Sequence, residues 1–357
     1  MSDRFTVKSS VHDYEVHFVP DFTEHLTQVM VEGDVLLIDS HVHDLYSQRL
    51  APFLESGAYV LITPTEEIKS YYRAGEVIEQ IIMKGFRKNN KIVVLGGGIC
   101  QDIGTFMASN LYRGVDWYFF PTTLLAMADS CIGGKASINF SKYKNLLGNF
   151  YPPMKIFIDI GFIDTLPRRE IISGLGEMTH FYFVSGEKDF TRIRDEYQAA
   201  LKDRTVLQGL IQRSLTIKKA TIEIDEFDRK ERQIFNYGHS FGHAIESVTN
   251  YRVPHGVAVS HGMDVANFIS VKMGLIDENL RQDMRRVLEY SWQEVPLGEI
   301  DIDAFVGALR RDKKNIGAQV RVILTRGLGK MFITTLDVNG DAGEWIKEYF
   351  QEQAYAG

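Results

Sequence analysis

Five short apolar runs, spaced by helical or turn-forming stretches, limit the folds open to this chain more than any other feature. They are VLLIDS (35–40), YVLITPTEE (59–67), KIVVLGGG (91–98), WYFFPTTLLA (117–126) and MKIFIDI (154–160). Residues 68–86 and 102–112 between them carry helical periodicity. Strands alternating with helices predict a parallel sheet in a nucleotide-binding α/β domain. From about Pro167 the strand runs give way to long periodic segments at 194–223, 239–249, 256–273 and 302–311, which read as helices. The expectation is an α/β domain over 1–168 and a mostly α-helical domain over 169–357.

A chain of 357 residues has room for two such domains and a large core. Its net charge of −7 argues against non-specific binding to nucleic acid or to an anionic membrane. Its two cysteines, Cys100 and Cys131, form no spaced framework and suit a reducing cytoplasm. No secretory leader is read at the start, and no apolar run approaches the ~20 residues of a membrane span.

Chemistry gathers in the second half. Glu177 lies in GLGEMTH, His239 and His243 in NYGHSFGHAIE, and His255 in VPHGVAV. His239 and His243 are four apart and share a helix face. One carboxylate and two imidazoles make a three-ligand set with an open position, the form of a catalytic zinc site. Ordinary helix histidines are the plainer reading of any one pair.

In the first half Gly96, Gly97 and Gly98 end a strand and precede a helix, where backbone can approach a pyrophosphate. The run is not G-x-G-x-x-G, because Gln101 stands at the last glycine position. Asp39 closes an early strand and could accept from a ribose hydroxyl or cap a helix. His41 and His43 form an H-x-H that reads as a surface turn.

The stretch PTTLLAMADSCIGGKASINFSKYKNLLGNFYPP (121–153) is more specific. With GGGICQD, LYRG, TLPRRE, GLGE, NYGHSFGHAIE, HGVAV and DKKN, in that order, the chain resembles the dehydroquinate synthase family of sugar phosphate cyclases over nearly its whole length. The resemblance implies an NAD-binding first domain, a metal- and substrate-binding second domain, and a homodimer. It also implies a lyase that uses NAD transiently to oxidise a phosphorylated sugar acid. Phosphate is then eliminated, the hydride is returned, and an aldol step closes a carbocycle.

The resemblance also assigns residues. Glu177, His239 and His255 fall on the metal positions, for Zn2+ or Co2+, and His243 falls on a substrate position. Lys135, Asn145, His243 and Lys314 (rather than Lys313) would surround the phosphate, with Arg113 from the other subunit. Lys218 and Arg232 would hold the substrate carboxylate. Asp129 and Asn236 would contact hydroxyls or order water. NAD would meet Asp39, Glu66, Lys69, Gly97, Gly98, Ile99, Asp102, Thr122, Thr123, Lys144 and Thr165. Glu66 and Lys69 also read as helix capping plus an exposed pair.

Three positions depart from the family pattern. His180 stands where a substrate-contacting lysine is usual, Val257 replaces an acid, and Cys131 replaces a serine. Glu177 and His180 share a helix face, so His180 could donate to substrate or compete as a metal ligand. Arg232 and Asn236 favour a seven-carbon keto acid of aromatic biosynthesis as substrate. His180 and Val257 favour a paralogous cyclase acting on sedoheptulose 7-phosphate or a related sugar. A metal-dependent alcohol dehydrogenase, or a binding protein without activity, would not need both the phosphate and carboxylate residues.

Overall fold

The structure, a computed structural model, describes residues 3–141, 143–311 and 319–356, with side chains through 352. It divides into two compact units, Met1–Leu166 with Lys218–Phe227, and Pro167–Ile217 with Asp228–Gly357. A single boundary after residue 168 leaves 218–227 in the helical half, whereas the structure groups them with the first unit.

The first unit contains β1 (Arg4–Val7), β2 (Tyr14–Phe18), α1 (Phe22–Val29), β3 (Val35–Asp39), α2 (Ser40–Glu55), β4 (Tyr59–Ile62), α3 (Tyr71–Met83), β5 (Ile92–Gly96), α4 (Gly98–Asn110), β6 (Trp117–Pro121), β7 (Ile138–Phe140), β8 (Tyr143–Leu147) and β9 (Lys155–Ile158). Among the described residues, seven strands form one sheet in the order β1-β2-β9-β6-β5-β3-β4. Only the β1–β2 pair is antiparallel in it. Every residue of β3 and β5 is buried, as expected of parallel strands covered on both faces. The connection from β3 runs outward to β4, and the next returns across β3 to β5. The carboxyl ends of β3 and β5 therefore flank a topological switch point, where open α/β sheets bind ligands.

The second unit begins with α5 (Arg168–Ser185) and α6 (Glu187–Ala200). The helix expected over 194–223 is two helices, because α6 ends at Ala200 and α7 spans Arg204–Ile222. Asp203 restarts the chain by accepting from Thr205 N at 2.7 Å, an N-terminal cap. Then come α8 (His239–Val248), α9 (His255–Lys272), α10 (Glu278–Trp292), α11 (Ile302–Arg310), β10 (Gln319–Thr325), β11 (Met331–Asp337) and α12 (Asp341–Ala356). The β10–β11 hairpin is absent from the helical reading of this half. Helix α9 is buried all round from Gly256 to Ser270 and packs against α5, α8, α10 and α12, so it is the core helix. No helix among the described residues is long and apolar enough to cross a membrane.

Candidate functional site

Three helices of the second unit bring the acid and two histidines together. Glu177 lies in the middle of α5, His239 is the first residue of α8, and His255 the first of α9. Glycines make the approach possible. A Cβ on Gly256 would sit 1.8 Å from Ser173 O, so α9 can start against α5 only without a side chain there. Gly238 holds φ +83 ahead of α8 and would clash with Val259 O at 2.7 Å if substituted.

Glu177 is 3% exposed. Its Oε1 lies 3.3 Å from His239 Nε2, and its Oε2 lies 3.5 Å from His255 Nε2. Burial alone would raise its pKa, but the imidazoles of His239, His255 and His180 outweigh burial and hold it well below the usual carboxylate range. Oε2 makes no hydrogen bond among the described residues. One ligand atom from each of Glu177, His239 and His255 falls within 4.8 Å of the other two. An ionised, buried carboxylate facing two imidazoles fits a divalent cation with oxygen and nitrogen ligands.

Glu246 is a site residue that the sequence reading misses. Its Oε2 lies 3.1 Å from His255 Nδ1, the ring nitrogen turned away from Glu177. Its one signal in the sequence is its place seven residues after His239, two helical turns along α8. Exposed His243 also falls within a possible ligand group, with Glu246 and His255. His180 is buried, its Nδ1 bonded to the Glu177 carbonyl and its ring against Phe181 and Phe235. It belongs to neither group of described residues that could hold a metal. Arg232 is buried in the short turn Glu231–Asn236, and Asn236 Nδ2 donates to Gln233 O at 3.0 Å. Lys313 and Lys314 lie outside the described residues.

In the first unit, α4 starts at Gly98, four residues earlier than expected, so Gly98 and Ile99 form its first turn. Gly97 precedes it with no side-chain cap, and a Cβ there would meet Thr123 Cγ2 at 2.8 Å. This bare helix start at the switch point fits a pyrophosphate. Asp39 is both buried and a helix cap, with Oδ1 accepting from His41 N at 2.8 Å. His41 and His43 therefore lie in the first turn of α2, not in a surface turn. Gln101 replaces the last fingerprint glycine for a visible reason. Its amide donates to Ser130 O and accepts from Ser130 Oγ, both at 2.6 Å, tying α4 to the turn that carries Asp129.

Lys69 is not part of an exposed pair. It is 6% exposed, and its Nζ lies 2.7 Å from Asp102 Oδ2 and 3.0 Å from Asn145 Oδ1. Burial raises the Asp102 pKa, against the pull of Lys69 and Ser137. Glu66 accepts from Asn139 Nδ2 at 2.8 Å, and Asn139 Oδ1 accepts from Asn145 N at 2.8 Å. The β7–β8 hairpin is thus fastened to the 66–69 turn and to α4. Lys218 donates to Asp129 O and Oδ1, both at 2.7 Å, so these two predicted residues meet. Thr165 Oγ1 lies 2.8 Å from Tyr46 OH, and Thr122 N donates to Gly96 O at 3.0 Å. Arg113, Lys135 and Lys144 are exposed, and Arg113 holds φ +68 in the LYRG turn.

The profile described as 3-dehydroquinate synthase N-terminal matches residues 59–173, and that described as 3-dehydroquinate synthase C-terminal matches 174–315. The 3-dehydroquinate synthase of Alkaliphilus metalliredigens is 35% identical over 301 residues, 83% of this chain and 85% of its own. Among solved structures, a 2-deoxy-scyllo-inosose synthase complexed with carbaglucose-6-phosphate, NAD+ and Co2+ superposes with TM-score 0.84 at 23% identity, over 98% of this chain and 99% of that one. The 2-epi-5-epi-valiolone synthase of Streptomyces hygroscopicus subsp. jinggangensis, with NAD+ and Zn2+ bound, superposes with TM-score 0.83 at 24% identity, over 96% and 97%. At these identities the structural likeness speaks for the fold.

Proposed function

Because the chain belongs to the 3-dehydroquinate synthase family, we propose that it is a sugar phosphate cyclase closing a phosphorylated seven-carbon keto sugar acid, 3-deoxy-arabino-heptulosonate 7-phosphate, into a carbocycle. The observation that carries this reading is Glu177, buried and ionised 3.3 Å from His239 Nε2 and 3.5 Å from His255 Nε2.

Glu177, His239 and His255 would hold a divalent metal, Zn2+ or Co2+, which when bound supplies a Lewis acid for the substrate oxygen being oxidised. Gly97, Gly98 and Ile99 at the start of α4 would bind NAD together with Asp39, Glu66, Lys69, Asp102, Thr122, Thr123, Lys144 and Thr165, and NAD supplies a hydride acceptor within each turnover. The protein's own side chains then bind and orient. Arg232 takes the substrate carboxylate in a bidentate grip, with Lys218 as a second cation. Lys135, Asn145, His243 and Lys314 hold the phosphate through its departure, joined by the partner copy's Arg113 in a homodimer. Asp129 accepts from Lys218, which fixes its carboxylate for a hydroxyl or water of the proton relay. Asn236 orders the same hydroxyls. Glu246 holds His255 in one ring orientation. Both cysteines are buried free thiols, in keeping with a cytoplasmic enzyme.

His180 favours a second reading. It stands buried beside the metal residues where the family pattern has a lysine, so the hydroxyl pattern read there differs. A paralogous cyclase acting on sedoheptulose 7-phosphate would fit that change. Phosphate release from the two heptulose phosphates, with Zn2+ and NAD and with nicotinamide absorbance followed throughout, separates the readings. Release from the keto acid without lasting absorbance supports the first. Release from sedoheptulose 7-phosphate alone supports the second, and lasting absorbance without phosphate release would sink both.

A further inference from the structure

Gln101 lies near the start of α4 and is 3% exposed. Its side chain faces Ala126–Ser130, a single π-helical turn closed by Cys131 N donating to Ala126 O at 3.0 Å. The last carbonyls of so short a turn have no partner within it. Two of them are answered by side chains from outside. Lys218 Nζ donates to Asp129 O at 2.7 Å, and Gln101 Nε2 donates to Ser130 O at 2.6 Å.

A carbonyl can only accept, so the second contact fixes which way the Gln101 amide points. Its Oε1 then takes the Ser130 hydroxyl proton, also at 2.6 Å. Gln101 thus holds Ser130 at two atoms. Asp129 sits one residue before this clamp, and its Oδ1 accepts from Lys218 at 2.7 Å. The backbone of the turn aims that carboxylate, and Gln101 fixes the backbone. Asp102, next along α4, takes Lys69 instead. All of these residues belong to the first unit.

We propose that Gln101 is a positioning residue acting through Asp129. Its grip on Ser130 holds the turn where the Asp129 carboxylate meets Lys218. The grip is independent of the reaction. Its effect on turnover rests on the proposed function, in which Asp129 serves the proton relay and Lys218 the substrate carboxylate. A misplacement of about 1 Å at such groups can cost about 100-fold in rate.

The sample is the full-length protein labelled with 15N-lysine. Lys218 and Lys69 are both buried and paired with carboxylates, so each should give an ammonium resonance protected from exchange. Gln101→Met keeps the length of the side chain and removes both hydrogen bonds. It should move the Lys218 resonance and leave that of Lys69 in place. Ser130→Ala, which removes half of the grip from outside α4, should move it less. An unmoved Lys218 resonance in Gln101→Met overturns the proposal, as does one that moves only together with Lys69. If Gln101→Met does not fold, an unmoved Lys218 resonance in Ser130→Ala overturns it.

In turnover, Gln101→Met should lower kcat for phosphate release by about tenfold or more. In an Asp129→Asn background the same substitution should cost less than about twofold, because the group it positions is already gone. Equal losses in the two backgrounds would make Gln101 a merely structural residue and overturn the proposal. Release from neither heptulose phosphate by the wild type would sink the functional reading instead, and the lysine resonances would still decide the grip.

Discussion

Glu246 Oε2 lies 3.1 Å from His255 Nδ1, while the other nitrogen of the same ring faces Glu177 at 3.5 Å. The imidazole is therefore held from both sides, the nitrogen that faces Glu177 aimed by the Glu246 carboxylate of α8. Partners of this kind fix the tautomer of a ligating histidine, and their loss typically weakens metal binding by about 10–100-fold. Glu246→Ala should weaken zinc binding by about that factor in a chelator competition. Glu246→Gln, still able to accept at its carbonyl oxygen, should lose less. Unchanged zinc affinity in Glu246→Ala would remove Glu246 from the site.

Metal retention and catalysis should fail together at the metal residues. Glu177→Ala removes the one buried carboxylate of the three-residue group, and His255→Ala removes an imidazole from it. Each variant should lose bound metal and phosphate release in parallel, read by metal analysis and a phosphate assay on one preparation. A variant that keeps both would show that the ion binds elsewhere.

Much of this site is legible in local order. Glu177, His239 and His255 fall in short glycine-marked segments, and the glycines mark the helix contacts themselves, since a Cβ on Gly256 would come within 1.8 Å of Ser173 O. Glu246 cannot be read the same way, because an acid inside the helical run AIESV looks like a solvated face until α8 and α9 are packed. Lys69 reads as exposed for a related reason. Its burial depends on Ser137 and Asn145, some seventy residues later in the chain. The return of 218–227 to the first unit is equally hidden, since α7 runs on to Ile222 without a break in periodicity.

The proposed choice of substrate turns on Arg232. If it reads a carboxylate, Arg232→Ala should raise KM and lower kcat/KM for the keto acid by about 100-fold or more, the loss expected for a charge-assisted bidentate grip. Sedoheptulose 7-phosphate, which has no carboxylate, should show no such dependence. An unchanged kcat/KM for the keto acid would mean that Arg232 is a structural residue.

The pair of Lys69 and Asp102 should matter to both stability and NAD. Lys69→Ala leaves the Asp102 carboxyl in a buried setting without its cation. Breaking such a pair costs about 3–5 kcal/mol, less where the carboxyl can take up a proton instead. Urea unfolding should show a loss of about 3 kcal/mol near neutral pH. NAD titration of the folded variant should show weakened binding. Full stability with full NAD affinity would make the contact incidental.

His261 should leave a signature in the acid stability of the protein. Burial pushes its pKa down to about 3, against an ordinary value of 6.5 in the unfolded chain. Between those values the unfolded state binds the proton and the folded state does not. Stability from this group is therefore complete above pH 6.5 and is lost as pH falls toward 3. The loss is about 1.4 kcal/mol per pH unit, or roughly 2 kcal/mol between pH 6.5 and 5. A folded His261→Leu variant lacks that proton uptake. Its urea-unfolding free energy should fall less than that of wild type over the same interval, by about 2 kcal/mol. Parallel pH profiles for the two proteins would mean that His261 is protonated in the fold, and so reached by water.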